Sequence, residues 1–190
     1  NYYPIIIIFL IITFLLGLLI GRLFSLDKKF IYLITSATAI CGATAALAIS
    51  SIIKAKPNQI SLAVFIIFLM NAIALALFPI IGRFLGLTDM QFGLFSALAI
   101  HDTASVVGSG FLYSEEAGEI ATTLKVGRTI WILPLVALIS FIENEKGSLN
   151  IKDLPKFIIL FFMVVVISNI FSLPAQIYEI SKLLSIVFIN

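Results

Sequence analysis

The sequence predicts an all-α, polytopic bundle of transmembrane helices with two interrupted helices or re-entrant hairpins, related to each other as an inverted repeat. Of its 190 residues, 61% are hydrophobic and 12% are charged, and the mean hydropathy is +1.18. A soluble domain carries roughly 25% charged residues, so this composition indicates a multi-pass membrane protein embedded in a lipid bilayer. Several apolar stretches reach the length of about 20 residues that a spanning helix needs. Between them lie two segments, about 30–54 and 89–113, in which small and polar residues replace bulky apolar ones.

The charge and the cysteine content exclude several classes of protein. The net charge of +2 is too small to predict a nucleic-acid partner. Cys41 is the only cysteine, so no intrachain disulfide can form. One histidine and one cysteine are too few nitrogen and sulfur ligands for a metal site, and we expect no metal and no cofactor. No basic region precedes the first apolar run, which argues against a signal peptide. We expect a single membrane domain, 1–190, that is part of a longer chain.

Apolar stretches bounded by charge or proline predict the spanning helices in order. The first is Pro4–Phe24, and Arg22 near its end is expected to reach the membrane interface. The next spans are 60–87, 121–142 and 155–173, and 177–189 is either the start of a further span or an interfacial helix. Pro79 is expected to kink the second span, because a proline removes a backbone hydrogen bond from a helix.

Charges that flank the two interrupted segments predict their topology. Basic residues flank the first segment and acidic residues the second: Lys28, Lys29, Lys54 and Lys56, then Asp89, Glu115 and Glu116. Since basic residues favour the cytoplasmic side, the first segment would enter and leave the membrane there. Each arm of such a hairpin has about 12 residues and reaches about 18 Å, enough for the midplane. The second segment would enter from the other side, as an inverted repeat requires. The alternative is a pair of broken helices that each cross the membrane.

The strongest candidate site lies in the second segment, within Ala99–Gly110. It holds the only histidine, His101, beside Asp102. The polar and glycine residues that follow are Thr103, Ser105, Gly108 and Gly110. Ionisable residues at membrane depth are expensive and mark functional sites, and interrupted helices are where transporters bind substrates and coupling ions. His101 would carry a proton, and Asp102 would balance it or bind a cation. The structural alternative is a hydrogen-bonded pair and two glycines that only serve helix packing.

The first segment has a matching candidate site on the other side of the membrane. Cys41 and Gly42 follow an Ala-Ile pair, as His101 does, and Thr44 comes next. Thr44 and the backbone around Gly42 would line the site, whereas the alternative is an interface of small residues between helices. Cys41 by itself is more typical of a small buried residue than of a reactive thiol. Asn71, near the middle of the second span, is more typical of a hydrogen bond between helices than of a ligand contact.

Two cations, Lys125 and Arg128, lie three residues apart and therefore on one helix face. In a span that starts at 121 they would lie in the first turns, where the helix dipole disfavours positive charge. A compensating group is then expected, and the candidates are Asp102, Glu115, Glu119 or an anionic ligand. The alternative is that both side chains extend to the membrane interface.

At these residues the sequence resembles the YeiH-type sulfate exporter family of uncharacterised bacterial inner-membrane proteins. Ile40–Ala46 resembles the family's I-C-G-x-S-A-I, and Phe78-Pro79 resembles the end of its next span. Ala99–Gly110 resembles A-I-H-D-T-x-x-V-V-x-A-G, and Leu124–Arg128, followed by Pro134, resembles V-K-L-T-R followed by a proline. The resemblance covers about 4–173, and three motifs in the right order are more specific than any one of them.

This sequence departs from the family pattern at a few positions. Thr44 and Ala46 stand for Ser and Ile, Ser109 stands for Ala, and Val126-Gly127 replaces a Leu-Thr pair and loses a hydroxyl. The resemblance implies a longer protein of the inner membrane, with an inverted repeat and interrupted helices that cross at the midplane. It also implies anion transport, although sulfate is supported by the family's name alone.

Three functions of different classes are compatible with these patterns. We expect a secondary transporter of a small solute, an anion by preference, coupled to H⁺ or Na⁺, and not an enzyme. Its substrate would lie between Cys41–Thr44 and His101–Ser105, with Lys125 and Arg128 balancing charge. The alternatives are an intramembrane enzyme that uses His101 and Asp102 as acid and base, and a structural membrane subunit that transports nothing. A homodimer is compatible with each of the three.

Overall fold

A computed structural model describes residues 3–143, and these residues form eight α-helices and no strand. The helices are α1 (Tyr3–Leu23), α2 (Lys28–Ala39), α3 (Ala43–Ile52), α4 (Pro57–Phe84), α5 (Asp89–Ala99), α6 (Thr103–Tyr113), α7 (Glu115–Thr129) and α8 (Ile132–Glu143). The predicted all-α class is thereby confirmed for the described part of the chain. The predicted segments 155–173 and 177–189 lie outside it.

Three helical stretches of the described residues are long and apolar enough to cross a membrane: Pro4–Leu23, Pro57–Phe84 and Glu115–Glu143. The 28 residues of α4 extend over about 42 Å, more than a hydrocarbon core of about 30 Å requires. Large apolar side chains such as Leu19, Phe65 and Ile80 are exposed on α1 and α4. Exposing such apolar faces to water is unfavourable, whereas exposing them to lipid is not. These helices therefore belong to a membrane protein.

The third span begins earlier than the apolar pattern predicts and is itself interrupted. It starts at Glu115 and not near 121, because the Ser114 side chain caps the first turn by accepting from the Ala117 N–H at 3.0 Å. The helix breaks between α7 and α8, four residues before Pro134, whose ring excludes the regular hydrogen bond to the carbonyl of Ile130. By contrast, α4 continues as a helix through Pro79.

The first interrupted segment is a re-entrant hairpin, which we call hairpin 1, made of α2 and α3. The Lys29 ammonium, in the first turn of α2, donates to the carbonyl of Lys54, just beyond α3, at 2.8 Å. The Gln59 amide at the start of α4 donates to the Asp27 carboxylate at 2.8 Å. Both open ends of hairpin 1 therefore lie beside the amino-terminal end of α4, which agrees with the expected hairpin and not with the alternative of a broken helix that crosses the membrane.

The second interrupted segment, hairpin 2, consists of α5 and α6 and opens at the other end of α4. The Ser114 hydroxyl, just beyond α6, donates to the carboxylate of Asp89 at the start of α5. Arg83, in the last turn of α4, donates to the Leu112 carbonyl at 2.9 Å. The order is therefore span, hairpin, span, hairpin, span, and the two hairpins point toward each other from opposite ends of α4.

The two helices that precede the hairpins end in the same way. Ser25 after α1 and Gly86 after α4 both adopt the left-handed conformation, with φ of 53° and 64°. In each case the next residue's N–H returns to the carbonyl of a glycine inside the helix, from Leu26 to Gly21 and from Leu87 to Gly82, both at 3.0 Å. These are the bonds of a Schellman motif, so the same type of turn leads into both hairpins.

Candidate functional site

The tips of the two hairpins meet beside the middle of α4. The tip of hairpin 1 is Ile40–Gly42, and that of hairpin 2 is Ile100–Asp102. Gly42 has a φ of +67°, and a Cβ there would lie 3.4 Å from the Asp102 nitrogen and 3.4 Å from the His101 carbonyl carbon. Glycine is favoured at this position because it adopts this positive φ without strain, whereas an added Cβ would make only ordinary contacts. The predicted candidate segments are thus in direct contact.

Asn71 attaches hairpin 2 to the spanning helix. It lies halfway along α4, its side chain is 2% exposed, and its Oδ1 accepts from the His101 N–H at 3.1 Å. The predicted hydrogen bond between helices is confirmed. It fixes the depth of the tips, since the middle of a spanning helix lies near the midplane of the bilayer.

Lys125 bridges the two tips. Its side chain is fully buried, and its Nζ donates to the Ile40 carbonyl at 3.1 Å and to the Ile100 carbonyl at 2.8 Å. These two carbonyls have no helical partner because α2 and α5 end at that point. Lys125 therefore satisfies one acceptor at the end of each arm.

Arg128 makes the same bridge with more donors. Its Nε donates to the Ala39 carbonyl at 2.8 Å, and its Nη2 donates to the Thr38 carbonyl. Its Nη1 donates to the Ala97 and Leu98 carbonyls of hairpin 2, at 2.9 and 2.8 Å. We call Lys125 and Arg128 the cationic clamp, because each side chain binds both hairpins.

Two helix ends compensate the positive charges of the cationic clamp. The carboxyl-terminal ends of α2 and α5 each carry a partial negative charge, and both point at the clamp. Within residues 3–143, neither clamp residue forms an ion pair with a carboxylate. The alternative of interfacial side chains does not hold, because Lys125 and Arg128 are 0% and 1% exposed. The prediction that they lie in the first turns of their helix is also wrong, since α7 begins at Glu115.

The amino-terminal ends of α3 and α6 meet at the same crossing but are capped differently. The Asp102 Oδ1 accepts from the Ser105 N–H at 2.9 Å and caps α6. Gly42 holds the corresponding position before α3, where no side chain caps the helix. The residue that precedes α3 therefore provides no side-chain acceptor for the first N–H groups of that helix.

Three polar atoms at the crossing are buried and have no hydrogen-bond partner within the described residues. They are the Asn71 Nδ2, the His101 Nδ1 and the Asp102 Oδ2. Buried polar atoms are nearly always paired with protein or with a bound molecule, so this cluster is the best candidate for a binding site. It includes the two ionisable residues that the sequence singles out.

The other predicted site residues lie at or near the crossing with different exposures. Cys41 is a buried free thiol in the tip of hairpin 1, and Thr44 is exposed in the first turn of α3. Thr103 and Ser105 are half-buried in the first turn of α6. Gly108 lies farther along, where an added Cβ would meet Leu75 of α4 at 3.0 Å, so its contact is one of helix packing.

Two buried serines near the crossing are not among the residues that the sequence motifs indicate. Ser36 and Ser96 each lie one turn before a hairpin tip, and neither hydroxyl has a partner within the described residues. The signal that reveals them is a repeated pattern, Ser-Ala-x-Ala-Ile, at 36–40 and 96–100.

Comparison with known proteins gives a family but no characterised function. The family model described as "Conserved hypothetical protein 698" matches residues 2–190. A UPF0324 membrane protein of Bacteroides thetaiotaomicron is 46% identical over 162 residues, which cover 85% of this chain and 48% of that protein. One of Porphyromonas gingivalis is 44% identical over 171 residues, which cover 90% and 51%, and one of Clostridium tetani is 37% identical, with 96% and 59% covered.

The chain spans about half the length of these curated relatives. No solved structure matches it. The family match extends over nearly the whole sequence, and the YeiH-type family that the motifs resemble is the same family. The chain therefore belongs to the UPF0324 family of membrane proteins, whose model is described as conserved hypothetical protein 698.

Proposed function

We propose that this protein is a secondary transporter of the bacterial inner membrane that moves a small anion and couples it to H⁺ or Na⁺. The observation that carries the proposal is the meeting of two opposed hairpin tips around unpartnered polar atoms, halfway along a spanning helix. Irregular backbone at membrane depth is tolerated where it lines a cavity or is buried in protein, and interrupted helices at the midplane are where transporters bind their solutes.

The charges at the crossing favour an anion as the solute. Lys125 and Arg128 bring two positive charges, and Asp102 brings one negative charge, so the formal charge of these groups is positive. The uncapped start of α3 adds N–H groups and the positive end of a helix dipole. An anion bound beside Gly42 would meet these donors directly.

Asp102 supports a coupled transport cycle. Its Oδ1 is fixed by the Ser105 N–H, whereas its Oδ2 is buried without a partner in the described residues. A carboxylate oxygen in that state is stabilised by a proton or a cation. His101, whose Nδ1 is also unpartnered, is the neighbouring group that would exchange the proton.

Two repeated features support an inverted repeat, and with it alternating access to the crossing. Each hairpin follows a helix that ends in the same turn, at Ser25 and at Gly86. Each tip follows a Ser-Ala-x-Ala-Ile pattern, and Lys125 binds the final carbonyl of both patterns, Ile40 and Ile100. Opposed copies of one motif can exchange roles, which would open the crossing to one side and then to the other. On this proposal the protein is a carrier and not an enzyme.

The experiment is a transport assay on the intact gene product in liposomes. Charge movement is recorded on a solid-supported membrane after jumps of sulfate, sulfite, taurine, chloride and acetate, at two pH values. We expect a saturable, pH-dependent current for at least one of these anions. Asp102→Asn should abolish its pH dependence, because asparagine still caps α6 but cannot bind a proton. His101→Ala should slow the current.

The matched control removes the same charge from the same hairpin. Asp89 lies at the open end of hairpin 2, where Asp89→Asn should leave the pH dependence unchanged. Where no current appears, isotope counterflow tests electroneutral exchange of the same anions. Absence of both current and counterflow, with protein that elutes as a single species, would overturn the proposal.

A further inference from the structure

Of the two polar atoms in the Asn71 side chain, one is hydrogen-bonded and the other has no partner within the described residues. Its Oδ1 accepts the His101 N–H at 3.1 Å, and since a backbone N–H can only donate, this contact fixes which end of the amide is oxygen. The Nδ2 must then face away from the His101 nitrogen. It is buried and has no acceptor within residues 3–143.

The position of Asn71 makes a purely structural role insufficient. Of the six buried residues of α4, which the structure describes in full, Asn71 is the polar one, and its neighbours on that face include Ile67 and Ala74. A hydrogen bond to His101 needs only an acceptor. An amide in an apolar face carries, in addition, two donors whose burial is costly when nothing accepts from them.

Asn71 and the residue that precedes α3 share two neighbours, Ile67 and His101. Ile67, one turn before Asn71 on the same face of α4, would be 3.4 Å from a Cβ at Gly42. That same position is 3.4 Å from the carbonyl carbon of His101, the residue that Asn71 binds. Asn71 and Gly42, which precedes α3, therefore both lie against the backbone of His101 at the crossing.

We propose that Asn71 is a substrate-contact residue that selects for oxyanions, with its Nδ2 donating to one oxygen of the anion while the start of α3 donates to another. This inference rests on the proposed function, because it assigns the ligand class of the same site. Donors on two different helices match an anion with several oxygens, such as a carboxylate, a sulfonate or sulfate, better than a spherical halide. The Oδ1 meanwhile holds hairpin 2 at the right depth.

The decisive variant is Asn71→Asp, because it removes the donors of the side chain and keeps the acceptor. Aspartate has the same shape and keeps an oxygen to accept the His101 N–H, but it replaces the two N–H donors by a second acceptor. Asn71→Leu, which has a similar volume, removes both halves. Gly127→Ala serves as the control, since an added Cβ there meets nothing within 4 Å.

The measurement is equilibrium binding of sulfate, sulfite, taurine, acetate and chloride to the purified intact protein, with thermal unfolding recorded for every variant. We expect Asn71→Asp to weaken oxyanion binding by at least about 100-fold, the size of one lost hydrogen bond to a charged group with added charge repulsion. Chloride binding should fall less, so the preference for oxyanions over chloride should shrink. Asn71→Leu should lose binding and also melt at a lower temperature.

The outcomes distinguish this inference from the proposed function. If wild type binds an oxyanion and Asn71→Asp binds it with the same affinity, Asn71 is a tether alone and the inference is overturned. If wild type binds none of the anions, the proposed function fails, and the inference fails with it. Should Asn71→Asp not fold, Asn71→Ser replaces it, because a hydroxyl can accept from His101 and donate once. Oxyanion binding about tenfold weaker than wild type would support the inference, and unchanged binding would overturn it.

Discussion

Arg128 offers the sharpest test of the crossing, because one side chain serves four backbone carbonyls. It donates to Thr38 and Ala39 in hairpin 1 and to Ala97 and Leu98 in hairpin 2. Replacing it with leucine leaves these acceptors without their donor at a depth where lipid cannot substitute for it. The positive charge that balances the ends of α2 and α5 is lost in the same step.

The expected destabilisation follows from these contacts. A buried acceptor that loses its partner costs about 1–3 kcal/mol, and four of them exceed what leucine regains by not burying a guanidinium. Removing one partner of a buried charged contact typically costs about 3–5 kcal/mol, and we expect Arg128→Leu to fall in this range. For a chain of this length, that corresponds to a fall in melting temperature of about 10 °C.

The assay is thermal unfolding of the purified protein in detergent, with two comparison variants. Arg22→Leu removes an exposed arginine from the end of α1 and should change the melting temperature little. Arg128→Lys keeps the charge but has three donors for four carbonyls, so its melting temperature should lie between those of wild type and Arg128→Leu. If Arg128→Leu melted within about 2 °C of Arg22→Leu, the role assigned to the cationic clamp would be refuted.

Two further predictions concern the packing of hairpin 2 and the open end of hairpin 1. Gly110→Ala should lower the melting temperature, because its Cβ would lie 2.8 Å from the Gly118 Cα and 3.2 Å from the Ala117 carbonyl oxygen, both backbone atoms. Gly127→Ala is the matched control, and equal melting of the two variants would contradict the close packing of α6 on α7. Hydrogen bonds from the Phe30 and Lys29 N–H groups and the Gln59 amide hold the pKa of Asp27 below its ordinary value. Its stabilising contribution is present above that value and is lost as the pH falls through the lowered pKa, so wild type should lose more stability on acidification than Asp27→Asn, which keeps the cap.

The re-entrant hairpins could be predicted because the charges that flank a membrane segment indicate on which side of the membrane its ends lie. Lysines on both sides of the first segment place its two ends on one side of the membrane, and the acids around the second segment are compatible with a hairpin that enters from the other side. The structure adds the contact that decides the question, the bond from Lys29 to the Lys54 carbonyl at 2.8 Å. The Asn71 bond to hairpin 2 was predictable for the same reason, since a lone amide in an apolar span needs a partner.

The partners of the cationic clamp could not be predicted, because they carry no sequence signal. Every acceptor is a backbone carbonyl, which any residue would supply, and the acceptors in hairpin 1 lie 85 to 90 positions away along the chain. Residue types alone therefore indicate carboxylates as partners and give no signal for helix ends. The start of α7 at Glu115 could not be predicted for a related reason. Two neighbouring acidic residues are typical of a loop unless Ser114 is identified as a helix cap.

Four half-helices end at one place, and the way their charges are balanced points to the function. The negative ends of α2 and α5 are satisfied by Lys125 and Arg128, and the positive end of α6 is satisfied by Asp102. The positive end of α3 has Gly42 before it and no capping side chain. A protein that only needed a stable crossing would gain from a capping residue at that position. The positive φ of Gly42 disfavours most side chains at that position, and under the proposed transport function the start of α3 is where the anion would bind.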